Sequence, residues 1–96
     1  MVTHMVLFKF ENPDDATAAV EKLHGMKGRI DSLQDVEAGV DFTRSERSYE
    51  VGLITRHADR AALDAYRVDP VHLEVVAFIR PRASGSAAVD FETTTG

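Results

Sequence analysis

A chain of 96 residues with 44% hydrophobic content can build one core of ordinary size, so we expect a single domain spanning residues 1–96 that gains stability by association. The absence of cysteine excludes disulfides, thiolate nucleophiles and cysteine-ligated metal sites. The net charge of −5, with acidic and basic residues interspersed, argues against a nucleic-acid partner, which would require a basic surface.

The first predicted element is a strand from Val2 to Phe10, which is rich in β-branched and aromatic residues. His4 and Lys9 interrupt its apolar run and no small-residue cleavage site follows, so the segment is neither a signal peptide nor a membrane span. We therefore expect a cytoplasmic protein with no membrane partner. Alternation places two sets of side chains on opposite faces: His4, Val6, Phe8 and Phe10 on one, Met5 and Leu7 on the other.

A helix follows at about residues 15–30, with Asp14 or Asp15 as its N-cap and two glycines weakening its last turns. Residues 36–42 then alternate between apolar and polar or small side chains, which predicts a second strand. After a polar hairpin loop at 43–48, the alternation resumes at Tyr49 and predicts a third strand, antiparallel to the second.

Asp59 can cap a short helix that ends at Tyr66 or Arg67, and Pro70 suits the first turn of a third helix that continues to Ile79. Residues 81–86 are predicted as loop and residues 87–92 as the last strand. The order β-α-β-β-α-α-β indicates an α+β, ferredoxin-like fold with a four-stranded antiparallel sheet and helices on one face.

The other face of this sheet also carries apolar residues. Met5, Leu7 and Ile54 lie opposite the helices if the alternation holds, and the helices of the same chain cannot reach them. A second copy of the sheet would bury both apolar sets through a two-fold axis, which predicts a homodimer through the sheet face. A solvated face is the alternative, because acidic residues such as Glu37 and Glu50 share these strands.

Four segments resemble the stress-responsive A/B barrel (Dabb) family, and together they span nearly the whole chain. They are HMVLFKF at 4–10, the hairpin pair VD at 40–41 and RSYEV at 47–51, YRVDPVH at 66–72, and VDFE at 89–92. The resemblance implies a ferredoxin-like protomer whose dimer forms an α/β barrel. Members of this family are diverse, from plant stress proteins to a plant polyketide cyclase that catalyses an aldol condensation without metal or cofactor.

In that cyclase a tyrosine and a histidine of the matching segment carry out the acid–base chemistry, so the resemblance implies Tyr66 and His72 as catalytic candidates. An imidazole can take a proton next to a carbonyl, and a phenol can hold the oxygen of the resulting enolate. Two residues depart from the family pattern. Asp69 stands where many relatives have histidine, and Val51 stands where the cyclase has another histidine in its cavity. The cavity between sheet and helices is expected to be lined by His4, Val6, Phe8, Val51 and Leu53.

Two main functions stay open at this point, and a cofactor-independent oxygenase is a weaker third, against which the absence of tryptophan counts. The first is a homodimer whose cavity binds a small apolar ligand, and the alternative is a cofactor-free cyclase, lyase or isomerase that uses Tyr66 and His72. His4 would be costly to bury unpaired in an apolar strand, so it should hydrogen-bond a neighbour or line a polar part of the cavity. His24 and His57 are expected to be exposed, and the dispersed histidines indicate no metal site.

Overall fold

A four-stranded antiparallel sheet organises the computed structural model, which describes residues 1–94 of the chain. The elements within this range are β1 (Val2–Phe10), α1 (Pro13–His24), β2 (Asp35–Val40), β3 (Val51–His57), α2 (Arg60–Val68), α3 (Pro70–Ile79) and β4 (Ala83–Glu92). The strand order in the sheet is β2-β3-β1-β4, and each neighbouring pair is antiparallel. The predicted ferredoxin-like fold and order of elements are therefore confirmed.

The central strand β1 has one face towards the core and one face away from it. Val2, Val6 and Phe10 are buried in the core, whereas Leu7 on the opposite face is 36% exposed. The same alternation continues in β3, whose buried side chains begin with Val51 and Leu53. All three helices of residues 1–94 therefore pack on one side of the sheet, as the period of two predicts.

Helix α1 differs from its prediction at both ends. Its N-cap is Asn12, whose side chain accepts from the backbone N–H of Asp14, and Pro13 occupies the first turn. The helix ends at His24 rather than near residue 30, because Gly25 and Gly28 favour a series of turns and Gly28 adopts a φ of 79°. Met26 and Ile30, which follow the helix, still reach the core.

The strand boundaries also shift. Strand β2 ends at Val40, two residues before the predicted end, and Phe42 is 93% exposed in the following loop. Strand β4 begins at Ala83, although residues 81–86 were predicted as loop, because Ala83 and Gly85 already pair with β1 across a β-bulge. The segment Ser84-Gly85-Ser86 has no apolar alternation, so this pairing leaves no signal in the sequence.

The junction between α2 and α3 is built from capping side chains. Asp59 caps α2 by accepting from the backbone N–H of Ala62, as predicted. Asp69 is both the C-cap of α2 and the N-cap of α3. Its side chain accepts a hydrogen bond from the backbone N–H of Val71. Pro70 occupies the first turn of α3. This tight junction brings Tyr66 and His72 to neighbouring positions from two helices.

The helices formed by residues 1–94 are short, the longest being the 12 residues of α1. None of them is both long and apolar enough to cross a bilayer.

Candidate functional site

A cavity of about 330 Å³ lies between the sheet and the helices. Its apolar wall comes from the core face of the sheet and from the helices, and includes Val6, Phe8, Leu23, Leu53, Val75 and Ile79. Its polar side chains are His4, Tyr66, His72, Arg80, Ser84 and Ser86. A mostly apolar pocket with a few convergent polar groups is the usual form of a small-molecule site.

His4 is held in the wall of this cavity by a carboxylate on the neighbouring strand. The antiparallel register of β1 and β4 places Asp90 directly opposite His4, and His4 Nδ1 donates a hydrogen bond to the Asp90 carboxylate. The prediction that His4 hydrogen-bonds a neighbour is thereby confirmed. The side chain of His4 is 13% exposed and that of Asp90 35%.

Arg67 completes this arrangement from α2. Its guanidinium donates to the second oxygen of Asp90 over 2.5 Å, and to Asp64 over 3.1 Å. Burial alone would raise the pKa of Asp90, but the hydrogen bond from His4, together with the guanidinium of Arg67, outweighs it and lowers the pKa. Asp90 is therefore a carboxylate at neutral pH, with both oxygens occupied by donors.

His72 is anchored in a similar way, by the backbone. Its Nδ1 lies 3.1 Å from the carbonyl oxygen of Arg67, and a carbonyl only accepts, so Nδ1 carries the hydrogen. Burial lowers the pKa of His72, although this hydrogen bond opposes the shift. The side chain is half-buried in the cavity wall and is neutral at pH 7.

Both cavity imidazoles therefore keep Nε2 free. No side-chain nitrogen or oxygen atom of the described residues is both buried and unpaired, and neither Nε2 has a partner within residues 1–94. The two Nε2 atoms must consequently be accessible. In the neutral ring with hydrogen on Nδ1, Nε2 has a lone pair that can accept a proton or a hydrogen bond from a molecule in the cavity.

Tyr66 packs among three imidazole rings. Its ring centroid lies 4.2 Å from that of His72, 4.8 Å from His57 and 6.1 Å from His4. The side chain is 1% exposed, and its hydroxyl lies 3.9 Å from the sulfur of Met26, which belongs to the core. Burial raises the pKa of Tyr66, so the phenol stays protonated.

His57 corrects the expectation that it is exposed. It is fully buried at the end of β3, where Nδ1 donates to the carbonyl of Ser32 over 2.8 Å. Its Nε2 lies 2.9 Å from the hydroxyl of Thr55 and accepts from it. Both ring nitrogens of His57 thus have a hydrogen-bond partner when the ring is neutral. This arrangement indicates a structural role for His57. His24 is exposed, as predicted.

We expect the protein to lose stability as the pH falls below about 6.5. Burial lowers the pKa of His57, and also that of His72, from the ordinary value of 6.5, so the unfolded chain binds these protons more readily than the folded chain does. The loss begins near pH 6.5 and stops once the folded histidines also titrate. Urea unfolding at pH 7.5 and 5.5 measures it.

The His57→Gln variant is the control for this prediction. It should be less stable than the parent at pH 7.5, but its stability should change less between pH 7.5 and 5.5. Asp35 and Asp90, whose pKa values are lowered, affect stability only below about pH 4 and do not contribute in this range. Equal pH dependence in parent and variant would contradict the assignment.

The structure brings most of the expected site residues to one cavity. His4, Val6, Phe8, Leu53, Tyr66 and His72 all line it. Val51 pairs with Phe8 across the sheet and is 1% exposed in the core, outside the wall of this cavity. Asp90 and Arg67 were not singled out as site residues. The alternation around Asp90 in the last strand was visible, but its pairing with His4 depends on the strand register.

The described residues, 1–94, contain no group of three histidine, aspartate or glutamate side chains close enough to hold a metal ion. His57 has both nitrogens engaged, and Asp90 is occupied by His4 and Arg67.

Comparison with known proteins gives one family and many similar folds. The family model described as "Stress responsive A/B Barrel Domain" matches residues 2–93. A dimeric ferredoxin-like protein of unknown function from Jannaschia sp. CCS1 is 27% identical, with a TM-score of 0.78 over 96% of this chain and 98% of that one. A dimeric ferredoxin-like protein of unknown function from Thermobifida fusca YX is 22% identical, with a TM-score of 0.85 over 96% and 90%.

A third similar structure is the hydroxynitrile lyase from Passiflora edulis. It is 10% identical, with a TM-score of 0.83 over 99% of this chain and 94% of that one, so the likeness concerns the fold. No curated protein matches the chain.

Proposed function

The chain belongs to the stress responsive A/B barrel domain family, and we propose that it is a cofactor-free acid–base enzyme acting on a small, mostly apolar carbonyl compound. Its reaction would be a proton transfer of the kind used by isomerases, cyclases and lyases. The proposal rests mainly on one observation, the pairing of His4 with Asp90 in the wall of a largely apolar cavity. Fold membership alone does not assign a reaction.

The proposed step starts at His4. Its Nε2 takes a proton from the carbon next to the carbonyl. The electron pair of that C–H bond forms a C=C bond, and the π pair of the C=O bond moves to the oxygen to give an enolate. The Asp90 carboxylate stabilises the imidazolium that forms, because it lies on the other ring nitrogen. His4 then returns a proton to the product, so no further reactant is required.

His72 has a second role in this proposal. Its Nδ1 is held by the carbonyl of Arg67, so its neutral Nε2 can accept a hydrogen bond from a hydroxyl or amide of the substrate. That contact would orient the reacting carbon towards His4. The two imidazoles thus differ in their anchors, one a carboxylate and the other a backbone carbonyl, and the charged carboxylate stabilises a positive charge on the ring more strongly than the neutral carbonyl does.

Tyr66 supports the two imidazoles through its ring, which is a different role from the acid suggested by the family resemblance. We expect Tyr66→Phe to keep activity within about threefold and stability within about 1 kcal/mol, since the hydroxyl has only a weak contact with Met26. Tyr66→Ala should lose about 3–5 kcal/mol, because it removes a buried ring. Urea unfolding and the exchange assay below measure both. A large loss of activity in Tyr66→Phe with unchanged stability would instead make the hydroxyl catalytic.

The proposed enzyme is a homodimer through the outer face of the sheet, defined here by Met5, Leu7, Ile54, Val89 and Phe91. Met5 pairs with both Ile54 and Val89, so these side chains form a continuous row across three strands. Val89 is 52% exposed and Phe91 43%, a large apolar surface for a chain of this size. The Jannaschia and Thermobifida neighbours are described as dimeric, which supports the proposal.

Exchange of carbon-bound protons in D2O tests the proposed chemistry without knowledge of the natural substrate. A panel of small apolar ketones and β-keto esters is incubated with the protein at pH 7.5 and followed by ¹H NMR. We expect at least one compound to exchange its α-protons faster than in buffer, and the His24→Gln variant, altered at an exposed histidine, to match the parent.

A non-catalytic binding domain is the second candidate, favoured by the engagement of the Tyr66 hydroxyl with Met26 rather than with His72. It predicts compounds that bind in the cavity and exchange no faster than in buffer.

The Passiflora neighbour supports the first candidate, since it illustrates that a chain of this fold can be a lyase.

A further inference from the structure

The wall of the cavity has a charge bias opposite to that of the whole chain. Acidic residues outnumber lysine and arginine by 16 to 11 in the sequence, yet no aspartate or glutamate of residues 1–94 lines the cavity. Arg80 is the one arginine or lysine in that wall. It is an exposed residue at the end of α3, so it belongs to the part of the cavity wall that solvent reaches.

Arg80 also differs from most of the other basic residues in its contacts. Most of them form ion pairs, namely Lys27, Arg29, Arg56, Arg60, Arg67 and Arg82. Within residues 1–94, Arg80 has neither a carboxylate nor an aromatic ring as partner. Arg44 and Arg47, whose guanidinium groups likewise have no ion-pair or aromatic partner within residues 1–94, lie outside the cavity wall. The planar guanidinium of Arg80, with five N–H donors, is therefore free to bind a carboxylate in the bidentate manner.

Two serines of β4, next to a β-bulge, add hydroxyl donors to the wall of the cavity. Lys9 pairs with Gly85 and Phe10 with Ala83, so Ser84 is the extra residue of β4. Four consecutive residues, 83–86, line the cavity, which a regular strand with alternating faces would not allow. Ser86 pairs with Phe8 and therefore shares its face of the sheet, and Ser84 lies two residues before it, so both serines belong to the wall that also contains Arg80.

We propose that the cavity binds a small amphipathic carboxylate, with its apolar part against Val6, Phe8 and Leu53 and its carboxylate on Arg80 and the two serine hydroxyls. The inference names the ligand class of the site and rests on the proposed function, since it uses the same cavity. The apolar wall supplies affinity through burial, and the guanidinium selects the anion. A substrate of this class would carry its carbonyl between the carboxylate and His4.

Octanoate and its neutral amide, octanamide, form a matched pair of probes for isothermal titration calorimetry at pH 7.5. They share the same seven-carbon tail and differ in charge at the head. We expect the parent protein to bind octanoate about tenfold more tightly than octanamide. In Arg80→Gln this preference should disappear while the affinity for octanamide stays the same.

The Arg29→Gln variant is the control, because it removes the same charge from an exposed arginine outside the cavity wall. It should keep the tenfold preference, and circular dichroism checks that both variants are folded. Equal affinities in the parent, or a preference that survives Arg80→Gln, would overturn the anion assignment alone. If neither probe binds the parent, the proposed use of this cavity for an apolar ligand fails together with it.

Discussion

The His4→Gln variant should lose about 100-fold or more of the α-proton exchange activity, the usual contribution of a positioned general base. Glutamine has no group that takes a proton at neutral pH, but its amide N–H₂ can still donate to the Asp90 carboxylate. The variant should therefore keep its fold and its cavity. The measurement is the exchange rate by ¹H NMR in D2O, with the stability of each variant followed by urea unfolding.

Asp90→Asn provides a second arm of this test, because Asp90 acts on the substrate only through His4. An asparagine amide can donate to Nδ1, which would move the hydrogen of His4 to Nε2 and remove the lone pair from the cavity. We expect a loss of activity close to that of His4→Gln. Activity that survives in both variants, with exchange still present in the parent, would exclude His4 as the base.

The Leu7→Arg variant should convert a dimer into a monomer. Leu7 pairs with Gly52 on one side and Ala87 on the other. Its side chain therefore projects from the middle of the outer face between two small residues. Two arginines brought together across a two-fold axis would bury unpaired charges in an apolar interface, which is strongly unfavourable. The measurement is light scattering at micromolar concentration, where the mass should fall from about twice 10.6 kDa to 10.6 kDa.

Val68→Arg is the control for the dimer. Val68 is 70% exposed at the end of α2, on the helical side of the molecule, so the same substitution there should leave the dimer intact. A parent protein that scatters as a monomer, or a Leu7→Arg variant that stays dimeric, would contradict the proposed interface.

The fold could be predicted because its signals are local. The alternation in Val2–Phe10 fixes which side chains of β1 face the helices, and Asp59 and Pro70 mark the starts of α2 and α3. The first helix was predicted too long because hydrophobic residues such as Met26 and Ile30 continue to face the core after the backbone has left the helix.

The site was predictable only in part, because its polar contacts join distant segments. His4 and Asp90 are 86 positions apart, and their contact depends on the register of β1 and β4. The burial of His57 depends on the carbonyl of Ser32, in a loop whose path the sequence does not specify. The weak contact of the Tyr66 hydroxyl with Met26 depends in turn on how the chain packs after α1.

The central claim is that Asp90 and the carbonyl of Arg67 hold the two cavity imidazoles with hydrogen on Nδ1 and a free lone pair on Nε2. A long-range ¹H–¹⁵N NMR spectrum of the protein at pH 7.5 measures this tautomer directly. We predict hydrogen on Nδ1 in both His4 and His72, and a change of the His4 signals alone in Asp90→Asn. A His4 ring with its hydrogen on Nε2 in the parent protein would contradict the account.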